Sequence, residues 1–271
     1  TFSMSDFKKD FLLKHHIQRL YVRYFDVVPK GIDVKPNATI RFKDDVPAEM
    51  EIIPTVFILN DCFYQKNIPD LAKLIVERVL QMNETHDVTG VKEIQIDCDW
   101  TAKSEKAYFA LLSEMREKLK DHDIRLSVTI RLHQLSSQVP PVDRGVLMMY
   151  NTGDFTQLDC QHPILDMKVA EPYLRHLPDY ALPISCAYPL YRWELLFRGK
   201  TFVGIMHGDD LPTLPSDSIV VREPTLEEIL QARQRISQIR PDANNETILF
   251  ELNDYNITRF NSDDYEEIFA Y

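Results

Sequence analysis

Two aspartates two residues apart, Asp97 and Asp99, close the alternating run Glu93-Ile94-Gln95-Ile96-Asp97-Cys98-Asp99-Trp100. Two neighbouring carboxyl groups can share acid chemistry, one giving up a proton while the other acts as its electrostatic partner. In a strand, alternate side chains share a face, so Ile94, Ile96 and Cys98 line one side and Gln95, Asp97 and Asp99 the other. The apolar face must meet packed helices, which turns both carboxylates inward, a costly placement unless cations or hydrogen bonds compensate. The same alternation over residues 125–131 sends Leu126, Val128, Ile130 and Leu132 outward. It sends Ser127, Thr129, Arg131 and His133 inward, and makes Arg131 a partner for Asp97. Arg23, sharing a face with Tyr21 and Phe25, is a second cation for that interior. Glu251, opposite Ile248, Phe250 and Leu252, is a further acid. For Arg23 and Arg131 the alternative is a buried ionic network that only packs, since buried polar groups need partners whatever the function.

Trp100, Tyr188, Tyr191 and Trp193 cluster near predicted strand ends, where aromatic rings either fill a core or form a stacking platform for sugars. The four cysteines have no ligand spacing and no two histidines sit at ligand spacing on one element, so no metal or cofactor is expected. With seven glycines and none in a rich turn after the first strand, a phosphate cradle is disfavoured. The net charge of −11 and the absence of any Lys/Arg block exclude a nucleic-acid partner and suit an uncharged or cationic ligand.

The elements that must position these residues are eight short β-branched or apolar runs, at 19–26, 54–60, 93–100, 125–131, 145–151, 182–188, 218–222 and 247–252. Helical spacing joins Leu71, Leu74, Ile75, Val79 and Met82, then Tyr108, Leu111, Leu112, Met115 and Leu119. A capping box at Thr225 and Glu228 opens another helix through Leu226, Ile229, Leu230 and Ile236. Phe7, Phe11 and Leu12 suggest an N-terminal helix. Repeated βα units over 271 residues predict an α/β fold, a (β/α)8 TIM-type barrel in a single domain, 1–271, with its working surface at the strand C-termini. Residues 28–53 replace the first helix with irregular structure, and 198–215 read as an inserted loop. No apolar run is long enough to span a membrane.

The run Gly90-Val91-Lys92-Glu93-Ile94-Gln95-Ile96-Asp97-Cys98-Asp99-Trp100 resembles the signature strand of chitinase-like glycoside hydrolases, family eighteen, roughly G-F-D-G-I-D-I-D-W-E-Y. Met148-Met149-Tyr150-Asn151 resembles that family's M-T-Y-D, residues 183–192 its G-x-P-x-Y-G-R strand, and Phe250-Glu251-Leu252 its closing W-E-L. The resemblance implies a general acid at Asp99, a substrate-orienting carboxylate at Asp97 and an intermediate-holding hydroxyl at Tyr150. It departs at Lys92 and Gln95, which stand at acidic positions, at the shorter Asp99 in place of Glu, at Asn151 and at Phe250. Two readings follow. One is an exported glycosidase acting on an oligosaccharide or polysaccharide, with Asp97, Asp99, Tyr150 and Glu251 as catalytic candidates. Its substrate-binding candidates are Arg23, Trp100, Arg131, Asn151, Tyr188, Tyr191 and Trp193. A second acid, Glu251 or Glu223, would make it a conventional two-carboxylate enzyme. The other reading is a non-catalytic glycan-binding or scaffold barrel. The oligomeric state is not specified by the sequence.

Overall fold

The computed structural model describes residues 1–64, 70–208 and 210–269. The chain forms two compact units, one of Thr1–Val146 with Ala181–Pro183, the other of Leu147–Tyr180 with Ile184–Tyr271.

In the first unit, α1 (Asp6–Lys14) starts where the Ser5 hydroxyl accepts the Lys8 amide at 3.2 Å, and it buries Leu12 while Phe7 stays exposed. Strand β1 (Arg19–Lys30) turns at Gly31, whose φ of 62° lies in the left-handed region, into the antiparallel β2 (Asp33–Asn37). Strands β3 (Glu51–Ile58), β4 (Glu93–Asp97) and β5 (Arg125–Ile130) then add in parallel, giving the order β2-β1-β3-β4-β5. Helices α2 (Leu71–Thr85) and α3 (Glu105–Lys120) make the crossovers that parallel pairing requires. Ile52, Ile94, Ile96, Leu126, Val128 and Ile130 are buried, as are the helix residues Ile75, Val79, Leu112 and Leu119. Strand β6 (Arg144–Met148) runs across the boundary into the second unit.

The second unit contains α4 (Met167–Leu174), β7 (Ile184–Pro189), β8 (Trp193–Arg198), β9 (Thr201–Met206), β10 (Asp217–Arg222), α5 (Leu226–Ile239), β11 (Thr247–Phe250) and α6 (Ser262–Phe269). Strands β7 and β11 pair in parallel. The capping box at α5 forms as its sequence indicates: the Thr225 hydroxyl accepts the Glu228 amide at 3.2 Å, and Glu228 accepts the Thr225 amide at 2.8 Å.

Seven of the eight predicted runs lie on strands of the parallel ladders or on β6. The eighth, 218–222, does not: β10 pairs antiparallel with β8, and β9 flanks β8 on the other side. The predicted loop 198–215 accordingly contains β9, because Gly199, at φ 61°, and Lys200 form a two-residue hairpin turn that reverses the chain after Arg198. Residue 209 of that loop lies outside the described residues. The irregular stretch 28–53 likewise begins with the β1–β2 hairpin. The chain is thus a mixed α/β fold rich in parallel strand pairs.

Candidate functional site

The inward charges of the first unit meet at the C-terminal ends of β4 and β5. Asp97 is the deeper carboxylate, with 17% of its side chain exposed, and Asp99 the outer one, with 57%. Asp97 accepts from the Thr129 hydroxyl at 2.7 Å and from Arg131 Nη2 at 3.0 Å. Arg131 Nε donates to Asp99 Oδ1, so one guanidinium bridges both carboxylates. Because arginine carries donors only, the oxygens facing it are acceptors. Lower on the same face, Thr55 donates to Gln95 at 3.4 Å, and both side chains are buried. Ile94, Ile96 and Cys98 occupy the opposite, sealed face, and burial holds the Cys98 thiol far above its usual pKa.

Gln134, which the sequence did not mark, locks this arrangement. Fully buried in the turn after β5, it accepts the Arg131 amide at 2.8 Å and donates to the Trp100 carbonyl at 3.1 Å. The chain that carries Arg131 is thereby tied to the chain that carries Asp99. His133 lies in the same turn. Desolvation holds its pKa below the ordinary imidazole value, against an opposing pull from Asp99.

Two of the proposed substrate contacts, Trp100 and Tyr188, lie in the core. Trp100 is buried against Tyr108 and Phe109 of α3, since the alternation that sends Cys98 to the helix layer also sends Trp100 there. Tyr188 is likewise buried, with its hydroxyl donating to Asn244 Oδ1 at 2.7 Å beyond α5, and burial raises its pKa well above the usual value. Arg23 does not supply the cation for Asp97. Its Nε pairs with Asp26 at 2.6 Å, and its guanidinium lies 4.6 Å from the Phe57 ring centroid.

In the second unit the remaining aromatic candidates do cluster. Tyr150 stacks on Phe250 at 5.5 Å with an interplanar angle of 13°, and Tyr191 meets Tyr150, Phe250 and Trp193 edge-on or tilted. Tyr191 donates to Asn151 Oδ1, and Asn151 holds a left-handed φ of 56°. Phe250 keeps 44% exposure. Strand parity placed it opposite Glu251 among outward apolar residues, yet it packs with Tyr150; the match to the family's closing Trp was the signal that marked this position. Glu251 is exposed just past β11, with Asn253 Nδ2 at 3.5 Å. Glu223 is 3.6 Å from Arg259 Nε.

No family model matches the chain, and no curated protein matches its sequence. Solved structures do match in fold. A chitinase from Chromobacterium violaceum superposes with a TM-score of 0.60 at 11% identity, covering 99% of this chain and 97% of that one. The spore cortex-lytic enzyme SleL of Bacillus megaterium gives 0.59 at 12% identity, over 92% of this chain and 68% of that one. SleL of Bacillus cereus gives 0.56 at 14% identity, over 96% and 68%. The chain therefore has a chitinase-like glycoside hydrolase fold. Among the described residues, no helix is long and apolar enough to cross a membrane.

Proposed function

We propose that the chain is a single (β/α)8 barrel domain, exported, that acts on a glycan through Asp97, Asp99 and Arg131, with Asp99 as proton donor and Asp97 as its electrostatic partner. The observation that carries this reading is the difference in setting between the two carboxylates. Asp97 is held by Thr129 and Arg131, whereas Asp99 contacts Arg131 through Oδ1 and is more than half exposed at the strand end. Its second oxygen is the one to donate a proton to a leaving group. The exposed Phe250 offers a sugar-stacking surface in the second unit, backed by the buried Tyr150 and Tyr191, with Trp193 and Asn151 nearby.

The test is product release from β-1,4-linked N-acetylglucosamine oligomers and from peptidoglycan fragments, by the unmodified chain and by Asp99→Asn. The substitution preserves shape and removes the donor, so turnover should vanish while the fold remains. Retained turnover removes Asp99 from that role.

A second reading is a glycan-binding barrel without turnover. It is favoured by Arg131, whose donors occupy an oxygen of each carboxylate, and by an acid one methylene shorter than the family's Glu, since small displacements cost large factors in rate. Saturable binding with no product from any glycan selects it.

A further inference from the structure

The turn that follows β3, Asn60–Tyr64, ends in a tyrosine that neither the sequence patterns nor the family resemblance marks. Tyr64 keeps 49% exposure. Its hydroxyl is nonetheless held from two sides. Asn60 Nδ2 donates to it at 3.0 Å, and it lies 3.3 Å from Thr101 Oγ1. The Asn60 bond makes the tyrosine oxygen an acceptor, and in the contact with Thr101 either hydroxyl can donate. Thr101 is fixed in turn, its amide donating to Ser104 Oγ at 2.9 Å at the start of α3. A ring exposed to solvent but pinned at its tip loses little freedom when a ligand covers its face.

The position of this ring gives it a use. Thr101 is two residues beyond Asp99, at most about 7 Å of extended chain. Tyr64 is thereby tied, through Thr101, to the chain segment that carries the exposed carboxylate. A flat aromatic face next to a hydroxyl that can donate or accept is the combination that recognises a pyranose ring, apolar on its C–H face and polar at its edge.

We propose that Tyr64 is a sugar-stacking residue that extends the glycan site outward from Asp99 by one saccharide unit, with Thr101 as its polar neighbour. The proposal rests on the glycan reading above. It makes affinity depend on chain length: a short oligomer is held at the carboxylates alone, and a longer one also covers Tyr64.

Calorimetric titration of the full chain with the trimer and the hexamer of β-1,4-linked N-acetylglucosamine tests this, on the unmodified protein, Tyr64→Ala and Tyr64→Phe. The hexamer should bind the unmodified chain more tightly than the trimer. Tyr64→Ala should weaken the hexamer about three- to tenfold and leave the trimer unchanged, while Tyr64→Phe, which keeps the ring, should stay within about twofold. Thermal melts of the variants control for folding. Unchanged hexamer affinity in Tyr64→Ala, or equal losses for both lengths, overturns the assignment of Tyr64 and leaves the glycan reading standing. Failure of the unmodified chain to bind either oligomer, or peptidoglycan fragments tried alongside, overturns that reading and this assignment with it.

Discussion

Strand β4 carries carboxylates at both ends, and the two ends treat them differently. At its start, Glu93 is completely buried, with one carboxylate oxygen 3.3, 3.4 and 3.7 Å from the guanidinium groups of Arg19, Arg144 and Arg125. At its far end, Asp97 and Asp99 share Arg131, and Asp99 opens to solvent. The charge chemistry is alike, but excess cation and complete burial make the first end a closed structural joint. Among the described residues, the second end pairs two acids with Arg131 and leaves Asp99 more than half exposed, so it has capacity left for a ligand. In a parallel α/β unit this asymmetry matches the rule that the N-terminal ends of the strands serve stability and the C-terminal ends serve function.

The contrast breaks most directly at Glu93. Glu93→Ala removes the buried acceptor of three arginines, of which Arg19 keeps Glu51 at 3.0 Å and Arg125 is more than half exposed while Arg144 is left largely buried, and a loss on the order of 3 kcal/mol is expected, read as a fall in the denaturant midpoint. At the other end Asp97→Ala should cost less, about 1–3 kcal/mol, because Thr129 and Arg131 lose a shared acceptor but Arg131 keeps Asp99. Asp99→Asn should stay within about 0.5 kcal/mol, as surface substitutions do. If it destabilises as much as Glu93→Ala, the two ends are not distinct in kind.

Smaller effects sharpen the picture. Cys62 and Cys186 are buried, and burial lifts their thiols to about 11 and about 12, while Cys98 is sealed on the helix side of the site strand. Native-state alkylation at neutral pH should therefore mark Cys160 alone, with all four labelled after unfolding; mass spectrometry of the labelled chain counts them. The smallest effect belongs to His133. Its folded pKa lies below the ordinary 6.5 because desolvation favours the neutral ring, so the unfolded chain binds the extra proton more readily. That contribution is complete above 6.5 and declines as the pH falls through the window beneath it. Melting temperatures between pH 7.5 and 5 should drop more steeply for the unmodified chain than for His133→Gln.

Much of this was legible in the residue order because period-two alternation reports a strand's faces directly. It separated Asp97 and Asp99 from Ile94, Ile96 and Cys98, and paired Asp97 with Arg131. The same rule, carried two residues further, would have sent Trp100 to the helices. It failed for Arg23, where the β1–β3 register shifts between Arg23 and Phe25 and Asp26 comes within reach. The antiparallel β8–β9–β10 sheet was obscured because an edge run such as Ser218-Ile219-Val220-Val221 has the same apolar character as a parallel strand, and only pairing tells them apart. Gln134 and Tyr64 carry no sequence pattern at all; each acquires its role from partners more than thirty residues away.

The central claim is that the open end of β4 and β5 holds a glycan through groups organised by Arg131. Titrating β-1,4-linked N-acetylglucosamine hexamer into the unmodified chain and into Arg131→Met, with melting curves to confirm folding, tests it most directly. Saturable binding by the unmodified chain, weakened at least tenfold in the folded variant, is the predicted result. Equal binding by both, or a folded unmodified chain that binds none of the oligomers, contradicts it.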